Sequence, residues 1–118
     1  MAGKTMSTVT IGVANLDAMF GRAKAAFQGV PQGEHISFET VEDLWKTLTP
    51  RRWALIRAMA GKGGMSTRAA GRLIGQDIKT VHADVQALLR AGILEKDAAG
   101  RIRFPYDAIH VDFMIEAA

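Results

Sequence analysis

Cysteine is absent from the sequence. That excludes disulfides, thiolate metal sites and cysteine nucleophiles, and it fits a reducing cytoplasm. Long apolar runs are lacking too: none approaches the roughly 18 residues of a membrane helix. The first residues, MAGKTMSTVTIGVAN, have neither the basic start nor the apolar stretch of a secretory signal. The expectation is a cytoplasmic, nucleoid-associated protein. Catalytic signatures are missing as well. The glycine-rich GKGG at 61–64 lacks the strand and the spacing of a phosphate-binding loop. No nucleophile elbow and no carboxylate pair stand out. His35, His82 and His110 are scattered, and the nearest ligand-like pair, His110 with Asp112, is too small a set for a metal site. No enzyme activity, metal or cofactor is expected.

What remains is a chain of 118 residues, 48% of them apolar, which suffices for one modest core. Its net charge of +3 is unevenly placed. Residues 1–48 carry four Lys/Arg against five Asp/Glu. Residues 49–104 carry eleven against four, and residues 105–118 carry none against three. A basic block between acidic flanks points to one segment that faces a polyanion. Charge alone does not distinguish this from a solvated basic face.

The periodicity of the chain supplies the elements. Val9, Ile11 and Val13 alternate within Thr8–Val13, which predicts a strand. Asn15 then caps a helix whose apolar face is Leu16, Phe20, Ala23 and Phe27. GVPQG breaks that helix, and His35–Glu39 reads as a second strand. Thr40 and Asp43 form a capping-box-like pair before a short helix carrying Val41, Leu44, Trp45 and Leu48. Thr49–Pro50 starts another helix, running to about Ala60, with threonine as cap and proline at the first position. Both tryptophans, Trp45 and Trp53, fall at helical core positions.

Residues 65–76, MSTRAAGRLIGQ, predict a short helix capped by Ser66, with Ala69, Ala70, Leu73 and Ile74 inward and Gly75 as its left-handed stop. Asp77 caps the next helix after a gap of about three residues, the connection of a helix-turn-helix. The small residues Ala70 and Gly71 allow the two helices to cross closely. In Ile78–Ala91 the apolar residues Ile78, Val81, Val85, Leu88 and Leu89 share one face. Lys79, Thr80, His82, Ala83, Gln86 and Arg90 lie outside it, and these groups suit the major groove, where Lys meets guanine or phosphate, Gln meets adenine and a methyl meets thymine. An ordinary amphipathic helix has the same division, so it is the surrounding pattern that favours a recognition helix. After Gly92, Ile93–Lys96 and Arg101–Phe104 flank the turn Asp97–Gly100 and form a hairpin, the wing, with Lys96, Arg101 and Arg103 placed for phosphates.

The strings LTPRRWALIRAM, MSTRAAGRLIGQDIKTVHADVQALLRAGILEK and PYDAIHVDF resemble a family of prokaryotic winged-helix DNA-binding proteins and transcriptional regulators, related at fold level to the MarR- and ArsR-like groups. The resemblance spans about Phe38 to Phe113. Gly71 stands where that pattern has alanine, and Ala83 where a basic residue is common. Antitoxins and operon autorepressors among similar proteins imply such a role by resemblance only.

The expected fold is therefore α+β, a winged helix-turn-helix with additional N- and C-terminal strands forming a small sheet. Residues 1–39 would be a strand–helix–strand extension, 40–104 the winged helix-turn-helix, and 105–118 a C-terminal strand for dimerisation or partner binding. Candidate DNA contacts are Ser66, Thr67, Arg68, Gln76, Lys79, Thr80, His82, Ala83, Gln86, Arg90, Lys96, Arg101 and Arg103. A homodimer would place its recognition helices one DNA turn apart, roughly 34–36 Å. Val9, Ile11, Val13, Phe20, Phe27, Ile109, Val111, Phe113 and Ile115 are the candidate dimer or partner interface. Two functions stay open: a double-stranded-DNA-binding transcription regulator, a repressor or autoregulator; or a protein-interaction module, such as an antitoxin that neutralises a cognate toxin through its terminal strands.

Overall fold

Every helix of the winged unit begins on a side chain that satisfies an otherwise orphaned backbone N–H, so the sequence punctuates its own elements. The computed structural model describes residues 7–13, 21, 23–25 and 34–114. The strand β1 spans Thr8–Val13 and β2 spans Glu34–Phe38. Helix α1, Val41–Thr47, starts on Thr40, whose Oγ1 accepts from Asp43 N at 3.1 Å. Helix α2, Pro50–Met59, starts on Thr49, with proline in its first turn. Helix α3, Thr67–Ile74, starts on Ser66, and helix α4, Ile78–Arg90, on Asp77. The strands β3, Glu95–Lys96, and β4, Ile102–Arg103, form an antiparallel hairpin, and β5 is Ala108–Asp112. Met65 bridges Ile102 through a pair of backbone hydrogen bonds of 2.9 and 2.8 Å, which ties the start of the helix-turn-helix to the wing.

The fold is α+β, a winged helix-turn-helix with a terminal sheet. That sheet has the order β2-β1-β5, all parallel. It joins both ends of the chain, with the winged helix lying between β2 and β5 in sequence. Ser7 clamps the join: its carbonyl accepts from Asp107 N at 2.7 Å, and its own N–H donates to the Asp107 carboxylate at 2.9 Å. Helix α1 packs on β1 and β2.

The core is continuous. Val9 and Ile11 of β1 are buried with Leu44, Leu48, Leu55, Ile56, Met59, Ala70, Val81, Val85, Leu88, Ile93, Leu94, Ile102 and Phe104. Each large apolar side chain so buried stabilises the fold by roughly 1.5–3 kcal/mol. The close crossing expected at Gly71 is present: a Cβ there would lie 3.0 Å from Val81 Cγ1 and 3.1 Å from the Gln76 carbonyl oxygen.

Several inward residues differ from expectation. In α3 the buried pair is Ala70 and Gly71. Leu73 lies two residues on, about 200° around the helix, and is 46% exposed. Ile78 is 45% exposed because it opens α4 at the turn, before the helix settles onto the core. Trp45 is 54% exposed rather than core; it stands edge-on to Phe113 at 5.9 Å. Ala23 of the predicted N-terminal helix is helical and exposed, while Leu16, Phe20 and Phe27 lie outside the described residues. Ile93 and Leu94 are buried but precede the hairpin's paired residues.

Candidate nucleic-acid interface

Three residues, Gly75, Gln76 and Asp77, separate α3 from α4. Gly75 takes φ +67° and ψ 31°, the left-handed conformation that closes a helix, and Gln76 N donates back to the Gly71 carbonyl at 3.0 Å. Asp77 Oδ1 accepts from Thr80 N at 2.8 Å. That hydrogen bond from Thr80 holds the Asp77 carboxyl below the usual carboxylate range. The turn thus fixes both helices locally, and the buried row Val81, Val85 and Leu88 fixes the roll of α4 about its axis.

With that roll set, Lys79, His82, Ala83 and Arg90 are exposed, and Thr80 and Gln86 are half-buried at the margins. Ser66, Arg68 and Gln76 are exposed and Thr67 is half-buried. The Ser66 hydroxyl already accepts from Ala69 N at 3.0 Å. Its hydroxyl proton stays free to donate outward. Lys96, Arg101 and Arg103 are exposed on the wing. The wing turn is built on Asp97, whose Oδ1 accepts from Ala99 N and Arg101 N, each at 2.9 Å. Arg103 is not an unencumbered cation: its Nε donates to Glu95 Oε1 at 2.6 Å across the hairpin, and its Nη2 also meets that oxygen. With Arg103 paired to Glu95, the wing's positive charge rests on Lys96 and Arg101, set against the Asp97 carboxylate in the turn.

One feature of the site was missed in the sequence. Asp84 is fully buried, on the core side of α4. Arg51 chelates it, with Nε to Oδ2 at 2.6 Å and Nη2 to Oδ1 at 2.9 Å. Arg52 Nε donates to Oδ1 at 3.0 Å, while its Nη1 reaches the carbonyls of Lys46 and Thr47 at 3.3 and 3.1 Å. The Arg51 hydrogen bonds, against the opposing effect of burial, hold the Asp84 carboxyl below the usual range. A single carboxylate therefore links α4 to the start of α2 and, through Arg52, to the end of α1. The signal was present: Val81, Asp84, Val85 and Leu88 fall at one helical period, so an acid interrupts the apolar row and requires a cationic partner.

The candidate interface of the terminal segments divides. Val9 and Ile11 are fully buried within the chain's own core, so they are not available to a partner in this fold. The reason is that β1 is the central strand and α1 covers it. Val13, Ile109 and Phe113 are half-buried, and Val111 is 38% exposed. Phe20, Phe27 and Ile115 lie outside the described residues. Among the described residues no group of three His, Cys, Asp or Glu could hold a metal ion. No helix among them is long and apolar enough to cross a membrane.

Comparison with curated proteins found no match, and neither did comparison with solved structures. The HVO_A0114 family model matches residues 47–111, from the end of α1 through the helix-turn-helix and wing into β5. That stretch holds the capped turn, the Arg51–Asp84–Arg52 cluster and the hairpin together, and it is more than half of the chain; the protein belongs to the HVO_A0114 family.

Proposed function

We propose that this protein is a sequence-specific double-stranded-DNA-binding transcription regulator, acting as a repressor or autoregulator. Helix α4 would enter the major groove, and the wing would lie along phosphates. The observation that carries this reading is the division of α4. Its inner face is locked by Val81, Val85, Leu88 and the chelated Asp84, while Lys79, His82, Ala83 and Arg90 face outward. A rigid helix with a cation, an imidazole and a methyl near its N-terminal end has the chemistry of base-edge readout. Lys96 and Arg101 supply sequence-independent attraction beside it.

The test is selection of bound duplexes from a random pool, followed by titration of the recovered sequence. Lys79→Glu combined with Arg101→Glu should abolish binding at moderate salt. The logarithm of wild-type affinity should fall with the logarithm of salt by about 0.9 per phosphate neutralised. Failure to enrich any duplex, or a flat salt response, would sink the reading.

A second function, capture of a partner protein such as a toxin through the terminal segments, is favoured by the exposed Trp45, Val111 and Met114. The same surface is where a homodimer would form. Sedimentation equilibrium at micromolar concentration distinguishes a dimer from a monomer awaiting a different partner.

A further inference from the structure

We propose that Arg51 is a further phosphate contact of this interface, a guanidinium set in place by Asp84 and presented to the DNA backbone along the flank of α4 beside Thr80 and Ala83. The inference rests on the DNA-binding reading above and names a residue that the helix-turn-helix pattern does not.

The two arginines on Asp84 differ in what they have left to give. Arg52 is mostly buried, with 19% of its side chain exposed, and its Nη1 is occupied by the carbonyls of Lys46 and Thr47. It is a structural tie. Arg51 has 47% of its side chain exposed, and only Nε and Nη2 engage Asp84. Of the five N–H donors of a guanidinium, those on Nη1 and the second on Nη2 stay directed away from the carboxylate. Arg51, Arg52 and Asp84 together carry one net positive charge, which the exposed Asp77 carboxylate partly offsets.

Position agrees with that chemistry. Asp77, Thr80 and Asp84 follow at steps of three and four, so they form one row along α4. Ala83, one step away around the helix, is exposed and short, so nothing there overhangs the row. Hydrogen bonds to Asp84, at the middle of α4, hold the Arg51 guanidinium against that row, with Asp77 a further attraction toward the helix's N-terminal end. The N-terminal half of a recognition helix approaches base edges, and phosphates line the groove on its flanks. A guanidinium already held by a bidentate pair loses little side-chain freedom on meeting a phosphate.

The experiment uses the full chain and the duplex selected by the wild type. Arg51→Gln should weaken binding about tenfold, the worth of one charge-assisted hydrogen bond, and equally for the selected duplex and for base-substituted ones. It should also lower the magnitude of the salt slope by about 0.9. A purely structural Arg51 would change thermal stability and leave that slope at the wild-type value; an unchanged slope in a folded variant overturns the inference while the DNA-binding reading stands. If the wild type binds no duplex, that reading itself has failed. Should Arg51→Gln not fold, the unaltered protein decides. Its Arg51 guanidinium NMR signal should shift on addition of duplex, and one neutral methylphosphonate linkage in a scan of the backbone should remove that shift. A signal indifferent to DNA overturns the inference.

Discussion

At the scale of single residues, Asp84 carries the most consequence for its size. It is a carboxylate without solvent, compensated by two guanidinium groups. Buried pairs of this kind add little net stability, yet removing one partner leaves the other charges stranded. Asp84→Asn should therefore destabilise the protein by about 3 kcal/mol, the low end of the range for breaking a buried pair, because Arg51 stays half in water. Urea denaturation checks it. The pH dependence follows from the direction of the shift. The folded state holds the Asp84 carboxyl below its ordinary value, so its stabilisation is complete above the ordinary carboxylate range, near pH 4. It is lost as pH falls through that range to the lower folded-state value. Melting temperatures of wild type and Asp84→Asn should be well apart at neutral pH and converge on acidification. A gap that widened in acid would contradict the assignment.

At the scale of elements, short-range chemistry decides where helices stop and start, and this is the part that was most legible. Thr40, Thr49, Ser66 and Asp77 each cap the helix they were expected to cap. A cap needs only its own three or four residues, so it is readable without knowing the rest of the fold. Gly75 is the strictest point of the turn, since its φ of +67° is a conformation other L residues adopt at a cost of roughly 1–2 kcal/mol. Gly75→Ala should lower stability by about that amount in urea titrations, and hydrogen exchange at Gln76 N, which donates to Gly71, should speed up. The faces of the elements were less legible than their ends. Leu73 and Ile78 are apolar and on plausible faces, yet Leu73 lies around the helix from the buried pair Ala70 and Gly71, and Ile78 opens α4 before the helix reaches the core, so both are exposed.

At the scale of the whole molecule, a parallel sheet made from both termini frames the winged helix. Gly12 is the tight point of that sheet, where a Cβ would collide with the backbone carbonyl oxygen of Asp112. Gly12→Ala should therefore loosen the pairing of β1 with β5. Hydrogen exchange should rise across Ala108–Asp112 while the capped turn at 75–77 keeps its protection. Uniform unfolding of both regions would show instead that sheet and winged helix are one cooperative unit. The covering of β1 by α1 also sends Val9 and Ile11 inward, which restricts any partner surface of the terminal segments to what remains, around Val111, Phe113 and Trp45.

The amino-acid order by itself determined the sequence of elements, the caps, the three-residue turn and the alternation of the wing, with Ile102 and Phe104 inward and Arg101 and Arg103 outward. These depend on neighbours along the chain and on a period of 2 or 3.6. Tertiary structure alone decided which opposite charges meet. Arg51 and Arg52 find Asp84 more than thirty residues away, and Glu95 takes up Arg103 across the hairpin. It also decided that the sheet is parallel, with β1 in the middle. Pairing of distant charges and strands depends on how elements pack in space, and local periodicity carries no record of that.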